Sequence, residues 1–224
     1  MKRIVLLSVA VCAWSQSGID VPAAGVIVDS QGSLRGVQGV AGSFLLGPAM
    51  MSGVLSAACS EQLCLAKTDS KILSATGEVE APPGPALFGW DGDTAVICFP
   101  ESRTLARWRE NTLEPLDGTV DSDVLSLRVA GDRIEFALRR DWAGVTEGPV
   151  LLLKEGVLFA TADELVLRRR DATELRFEFA GAETITAIAS MGPHYAAIRA
   201  GATTFALRLD VGQEQLFVLP GNTP

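Results

Sequence analysis

Few residues of this chain could perform acid–base or metal chemistry. The one histidine, His194, follows Gly192-Pro193, where a turn is expected. A single histidine excludes metal sites that need several imidazole ligands and leaves carboxylate sites such as those for Ca²⁺. It would also be the only base for a serine or cysteine triad, and no Gly-x-Ser-x-Gly motif occurs. We therefore assign no catalytic residue, no metal site and no cofactor.

Acidic residues offer the remaining route to chemistry. Asp91-Gly92-Asp93 and Asp121-Ser122-Asp123 are the Ca²⁺ candidates. Neither extends into an Asp-x-Asp-x-Asp-Gly loop with a distant Glu, and Asp-Gly is common in hairpin turns. We interpret both segments as turns. Carboxylate pairs for glycoside hydrolysis stay open, because 27 acidic residues allow many pairs and their separation is a spatial property.

The cysteines and tryptophans have structural and binding interpretations. Cys59 and Cys64 flank a turn, so a disulfide closing this hairpin is a candidate in an oxidising compartment; whether they are bonded stays open. Cys98 lies in an apolar run and is interpreted as a small buried hydrophobic residue. Trp108 and Trp142 are the candidates for a ligand-binding face, and the alternative is packing between neighbouring repeats.

The N-terminal segment from Met1 to Ser15 has the layout of a secretory signal peptide. Lys2 and Arg3 precede the apolar run from Ile4 to Ala13, and Ala13-Trp14-Ser15 has the small residues of a cleavage site. The run is too short to span a bilayer, which needs roughly 20 residues. The alternatives are a retained anchor or a lipid on Cys12. We predict cleavage after Ser15 and a secreted or periplasmic protein.

The remaining chain, 16–224, is predicted to form one domain without a transmembrane segment. The full sequence is 48% hydrophobic, which suffices for a core. The net charge of −8 disfavours nucleic acid, whose phosphates require clustered basic residues. The one basic cluster, Arg168-Arg169-Arg170, is flanked by Glu164 and Asp171 and is interpreted as a solvated strand end.

The residue pattern predicts short antiparallel strands. Ile134, Phe136 and Leu138 alternate with polar residues, and similar runs are separated at short intervals by Gly, Asp, Asn or Pro. The last unit shows four strands, separated by turns, at Thr184–Ser190, Tyr195–Arg199, Thr203–Asp210 and Gln215–Leu219.

A sequence repeat underlies these strands. The segment from Leu165 to Gly181 aligns without gaps on the segment from Phe205 to Gly221. The same order of strand, polar turn, strand and closing glycine recurs in segments ending at Gly39, Gly84 and Gly118. A shortened unit is expected around Asp123 to Trp142. All-strand repeats with a period of about 40 residues are typical of propeller blades.

On these residues the chain resembles the β-propeller superfamily, loosely in the WD-repeat and quinoprotein-like style, over most of 24–220. It departs from the WD pattern, because its one Trp-Asp dipeptide, Trp90-Asp91, is expected at a turn. The resemblance implies a small or incomplete all-β propeller of about five to six four-stranded antiparallel blades; a β-sandwich is the alternative. Gly25–Gly39 is expected to be a third-and-fourth-strand pair, so the chain ends would not share a blade.

Three functions fit these expectations. The first is an exported, non-catalytic scaffold of the cell envelope that binds another protein through the loops on one face. The second is a propeller-type hydrolase or lyase with carboxylates in the central channel. The third is a degenerate propeller fragment without activity.

Overall fold

A computed structural model describes residues 22–92, 94–162, 164–179 and 184–221. The predicted signal peptide, Asp93 and Gly181 lie outside these residues. Within them the chain forms 21 β-strands and one 3-10 helix, Arg139–Trp142. No helix in this part of the chain is long and apolar enough to cross a bilayer.

The first half of the chain forms three antiparallel sheets, each made of consecutive strands. Sheet 1 contains β1 (Ala23–Val28), β2 (Leu34–Val40) and β3 (Ser43–Met51). Sheet 2 contains β4 (Ser56–Cys59), β5 (Cys64–Lys67), β6 (Lys71–Ser74) and β7 (Gly77–Glu80). Sheet 3 contains β8 (Leu87–Asp91), β9 (Thr94–Phe99), β10 (Thr104–Arg109) and β11 (Thr112–Leu116).

The second half forms three more sheets of the same kind. Sheet 4 contains only β12 (Val124–Ala130) and β13 (Arg133–Leu138). Sheet 5 contains β14 (Val150–Leu153), β15 (Gly156–Ala160), β16 (Glu164–Arg169) and β17 (Glu174–Glu178). Sheet 6 contains β18 (Ile185–Ser190), β19 (Tyr195–Ala200), β20 (Thr203–Arg208) and β21 (Leu216–Val218).

The sheets are arranged around a common centre as a β-propeller. The inner strands β4, β8, β12, β14 and β18 contact one another in turn, and β18 returns to β4, which closes a five-bladed ring. At this closure the Ser190 hydroxyl donates a hydrogen bond to the Cys59 carbonyl oxygen at 3.0 Å. Sheet 1 packs at the same junction, between sheets 2 and 6. The propeller prediction is confirmed, and the β-sandwich alternative is not.

Apolar side chains fill each gap between neighbouring sheets. In the gap between sheets 5 and 6, Leu165 and Leu167 pack with Ile198 and Leu207, all at most 1% exposed. Five further clusters occupy the other gaps among the described residues. Burying one such side chain contributes about 1.5–3 kcal/mol, so these gaps hold the ring together.

Sheet 1 joins sheet 6 by close packing. At Gly25 the backbone has φ +134°, and a Cβ atom there would overlap the carbonyl oxygen of Met191. Glycine is therefore required for the two backbones to approach this closely. Phe44 packs edge-on against Tyr195 and Phe217, with ring centroids 5.4 and 5.8 Å apart. No described strand is shared between the first and last sheets.

The predicted four-stranded antiparallel blades are confirmed at sheets 2, 3, 5 and 6, while sheet 1 has three strands and sheet 4 has two. One detail of the predicted architecture is wrong. Gly25–Gly39 forms β1 and β2 rather than the third and fourth strands of a blade. The reason is that Gly39 does not end a unit, since the chain turns at Ala41-Gly42 and adds β3. The four strands of the last unit and the shortened unit at β12–β13 are confirmed.

A nearly buried ion pair links sheets 5 and 6. Arg169 pairs with Glu214, and the two side chains are 13% and 9% exposed. Arg169 also donates to the Leu209 carbonyl oxygen at 3.2 Å. Burial alone would raise the pKa of Glu214, but the hydrogen bond from its own backbone and the Arg169 guanidinium outweigh burial and hold that pKa below its usual value.

We expect Glu214→Gln to lower the free energy of unfolding by about 3 kcal/mol at pH 7, because Arg169 is left nearly buried without its carboxylate. A carboxylate whose pKa is lower in the folded than in the unfolded protein stabilises the fold at pH values above its unfolded-state pKa, about 4.3 for Glu. This stabilisation is lost as the pH falls through the folded-state pKa. The difference between wild type and variant should therefore shrink at acid pH in urea unfolding. Glu178→Gln, at an exposed residue, is the matched control; an equal loss for both variants would contradict the assignment.

Candidate functional site

The shortened sheet 4 leaves part of sheet 3 uncovered. A cleft of about 410 Å³ lies between them, which we name the sheet 3–4 cleft. Its floor is the apolar contact between the two sheets, including Val96, Leu105 and Ile134. Its charged lining consists of Arg107, Arg109, Asp91, Asp117 and Asp132.

Two arginines project into this cleft from one face of β10. Side chains alternate along a strand, so Leu105, Arg107 and Arg109 face sheet 4 while Trp108 faces sheet 2. Arg107 is half-buried and Arg109 is exposed. Within the described residues neither guanidinium forms an ion pair or hydrogen bond. Arg107 is thus a half-buried residue whose guanidinium donors no described residue occupies.

The carboxylates of the cleft come from strand ends and turns. Asp91 ends β8, Asp117 follows β11, and Asp132 lies in the turn between β12 and β13. Glu114 lies directly opposite Arg107 on β11 without forming an ion pair with it. Two guanidinium groups above an apolar floor suit a ligand that combines a carboxylate with apolar groups, because guanidinium binds carboxylates through two parallel hydrogen bonds.

The inner strands of the ring supply no carboxylate pair. Among the described residues of β4, β8, β12, β14 and β18, Asp91 is the one acidic side chain. The one basic side chain, Arg128, is bound by Glu135 and by the carbonyl oxygens of Leu153 and Lys154.

His194 and Cys98 have no arrangement for nucleophilic catalysis. His194 is exposed, and its Nδ1 lies 2.7 Å from Asp210 Oδ1. Arg208 donates to the other oxygen of Asp210 at 2.7 Å, and these two partners lower the pKa of Asp210, Arg208 more strongly. Cys98 lies in the apolar gap between sheets 3 and 4, where burial raises the pKa of its thiol to about 12. A thiol with that pKa stays protonated and is a weak nucleophile near neutral pH.

The acidic segment Asp121-Ser122-Asp123 contacts an arginine. Arg140 Nη1 lies 2.5 Å from Asp121 Oδ2 and 4.0 Å from Asp123 Oδ1. The hydrogen bond from Arg140 lowers the pKa of Asp121, so a guanidinium already offsets part of the negative charge of this segment. Asp93 of the other Ca²⁺ candidate lies outside the described residues. In the described part of the chain no three potential metal ligands come together.

The two candidate tryptophans lie in different gaps between sheets. Trp108 is 2% exposed in the core between sheets 2 and 3, so it has no surface for a ligand. Trp142 is half-buried at the end of the 3-10 helix and packs on Phe159, with ring centroids 5.1 Å apart. Sequence reasoning missed Arg107 and Arg109, although alternation along the strand places them opposite Trp108.

Cys59 and Cys64 face each other across the hairpin between β4 and β5. In the structure their sulfur atoms are bonded. The disulfide encloses the turn that Ser60 orders by accepting hydrogen bonds from the backbone N–H groups of Gln62 and Leu63. This hairpin includes the Cys59 carbonyl oxygen that binds Ser190 at the closure of the ring.

Comparison with known proteins yields similar folds only. No family model and no curated protein matches the chain. Among solved structures, PorZ, a bacterial surface component of the type-IX secretion system of Porphyromonas gingivalis, is 14% identical over 88% of this chain and 31% of its own, with a TM-score of 0.45.

Two further solved structures are similar at the same level. The extracellular domain of the putative hybrid two-component system BT4673 from B. thetaiotaomicron is 12% identical over 88% of this chain and 33% of its own, with a TM-score of 0.41. The WD40 β-propeller domain of Doa1 is 13% identical over 87% of this chain and 68% of its own, with a TM-score of 0.33. The chain thus spans about a third of the length of PorZ and of the BT4673 domain.

We expect Trp108→Ala to lower the free energy of unfolding by about 3–5 kcal/mol, because it removes a large side chain from a filled core. The folded fraction of this variant should bind a ligand at the sheet 3–4 cleft almost as tightly as folded wild type does. Chemical denaturation followed by circular dichroism measures the first effect. Trp142→Ala, at a half-buried residue, should cost less; a larger loss there would contradict this assignment.

We expect the double variant Cys59→Ala/Cys64→Ala to lose about 2 kcal/mol of stability, the loop-entropy value for a short disulfide loop. Dithiothreitol should lower the stability of wild type to a similar degree and leave the double variant unchanged. Cys98→Ala under the same reductant separates this effect from that of the buried thiol. An identical response of wild type and double variant to reduction would contradict a structural disulfide.

Proposed function

We propose that this protein is an exported, non-catalytic interaction module that binds a partner protein at the sheet 3–4 cleft. The observation that carries the proposal is Arg107, a half-buried residue whose guanidinium has no ion pair among the described residues and lies at the side of an apolar floor. The partner presents an extended segment whose acidic side chain binds Arg107 and Arg109. Its neighbouring apolar side chains cover Leu116 and Ile134.

The turns around the cleft support binding of a protein. Asp91, Arg109 and Asp132 lie at or beside the hairpins β8–β9, β10–β11 and β12–β13. In an antiparallel blade, the hairpin that joins the first and second strands lies on the same side as the hairpin that joins the third and fourth. These three hairpins therefore lie on one face of the ring. Binding residues commonly sit on loops that a rigid scaffold positions, and this face has that arrangement.

Export and the lack of catalysis rest on separate observations. The N-terminal layout from Lys2 to Ser15 supports secretion. A bonded Cys59–Cys64 pair suits an oxidising compartment. The buried thiol of Cys98 and the exposed His194–Asp210 pair support a binding role over nucleophilic catalysis.

The test uses a fluorescent decapeptide with alternating Glu and Leu, and the same peptide with Gln in place of Glu. We expect the mature protein to bind the Glu peptide in anisotropy titrations and to bind it more weakly as salt rises. Arg107→Ala should weaken binding at least about tenfold, because a charge-assisted hydrogen bond contributes about 1.5–3 kcal/mol. Glu114→Gln should strengthen binding, since it removes the carboxylate opposite Arg107.

Arg170→Ala is the matched control, because Arg170 is an exposed arginine on the hairpin of sheet 5. It should leave the affinity unchanged. Equal binding of the Glu and Gln peptides, or an equal effect of the Arg107 and Arg170 variants, would overturn the proposal. Thermal unfolding of each variant shows whether the fold is retained.

A further inference from the structure

The outer edges of the sheets differ in charge. The outermost strands β7, β11, β13 and β17 each carry charged side chains: Glu78, Glu80, Glu114, Arg133, Glu135, Glu174, Arg176 and Glu178. Charged side chains on an edge strand oppose pairing with another chain. β21 has no charged side chain but is short, since it comprises only Leu216–Val218. β3 is longer and has none either, and it lies within the segment from Gly36 to Ser60, which contains no Asp, Glu, Lys or Arg.

The β3 edge also exposes large apolar side chains at the perimeter of the ring. Leu45 is 61% and Met50 56% exposed. Phe44 of β3 packs against Phe217 of β21, the outermost strand of sheet 6. Phe44 also packs against Tyr195 of β19, so β3 lies beside sheet 6 and reaches its outermost strand. A shallow groove between β3 and β21, lined by Phe44, Phe217 and Val218, adjoins this edge.

The backbone of β3 directs hydrogen-bonding groups outward at two residues. The Gly39 N–H donates to the Pro22 carbonyl oxygen at 2.7 Å and so points away from β3. Phe44, opposite Gly39, therefore directs its own N–H and C=O away from β2, toward the free edge. Leu46, two positions further and opposite Val37, does the same. Pro48 has no N–H, so pairing at this edge is confined to the first half of the strand.

We propose that β3 pairs antiparallel with β3 of a second copy of this chain about a two-fold axis at Leu45. In this register Phe44 and Leu46 lie opposite Leu46 and Phe44 of the second copy and exchange four backbone hydrogen bonds. The two Leu45 residues form the closely spaced pair between them, with Cα atoms about 4.5 Å apart. Their exposed side chains then cover each other.

The lack of charged side chains around β3 allows a second copy as the occupant. Each chain carries a net charge of −8, so two copies repel over most of their surfaces. The uncharged segment that includes β3 is the place where they can meet without burying like charges. A two-fold contact also requires a self-complementary strand, and the segment of β3 centred on Leu45 meets this requirement.

Oxidative cross-linking of the mature protein tests the register. In the Leu45→Cys variant, the Cα atoms of the two cysteines lie about 4.5 Å apart in this register. This separation is within the range of about 4.4–6.8 Å that a disulfide tolerates. We expect a covalent dimer under mild oxidation on non-reducing gels. Val211→Cys, at a residue 74% exposed in the turn before β21, is the control and should stay monomeric. The native Cys98 is buried, and Cys59 and Cys64 are bonded, so none of them competes.

Light scattering after size-exclusion chromatography gives a second measurement. Wild type should dimerise as its concentration rises, and Leu45→Lys should remain monomeric while Val211→Lys behaves as wild type. Arg107→Ala should dimerise normally, which separates this proposal from binding at the cleft. A monomeric wild type at high protein concentration, or equal cross-linking of the Leu45 and Val211 cysteine variants, would overturn self-pairing. A monomer that binds a foreign extended peptide at this edge would overturn it as well.

Discussion

A small sheet of three or four strands cannot bury both of its faces, and the rest of the structure depends on this constraint. Each sheet buries its apolar faces only against the sheets beside it, as Leu165 and Ile198 do between sheets 5 and 6. Polar contacts between sheets fix how neighbouring sheets are oriented relative to each other. The Ser56 hydroxyl accepts from the Ala86 N–H and donates to the Ala86 carbonyl oxygen, at 3.1 and 2.8 Å. A ring satisfies the constraint because it gives every sheet a neighbour on each face.

The same constraint explains the location of the cleft. Sheet 4 lacks the two strands that would cover the outer half of β10, so a complete blade on one side meets a half blade on the other. Apolar residues near the centre, such as Leu105 and Leu127, remain covered. The uncovered part of β10 carries Arg107 and Arg109. The cleft is thus a consequence of blade length, and arginine is the side chain that tolerates a half-buried position while binding carboxylates.

Local features were predictable from the sequence and spatial ones were not. Alternation with period two identified the four strands of sheet 6 and the pair β12–β13, because turn residues separate them along the chain. The role of β1 was not predictable, since it depends on Gly25 approaching Met191 from the far end of the chain. Trp108 was predicted as a binding residue for a similar reason. Alternation shows that Trp108 and Arg107 face opposite ways, but it does not show which of the two neighbouring sheets is complete.

Consecutive strands build every sheet, which has a consequence for the order of assembly. All ladder pairing joins residues close in the chain, so each hairpin can form as soon as its own residues are available. The junction of sheet 1 with sheet 6 is different, because Gly25 and Met191 come from opposite ends of the polypeptide. Closing a loop of that length costs more entropy than closing a hairpin, so we expect this contact to form after the local ladders. The molecule therefore combines locally paired sheets with long-range contacts that close the ring, Gly25 with Met191 and Ser190 with Cys59.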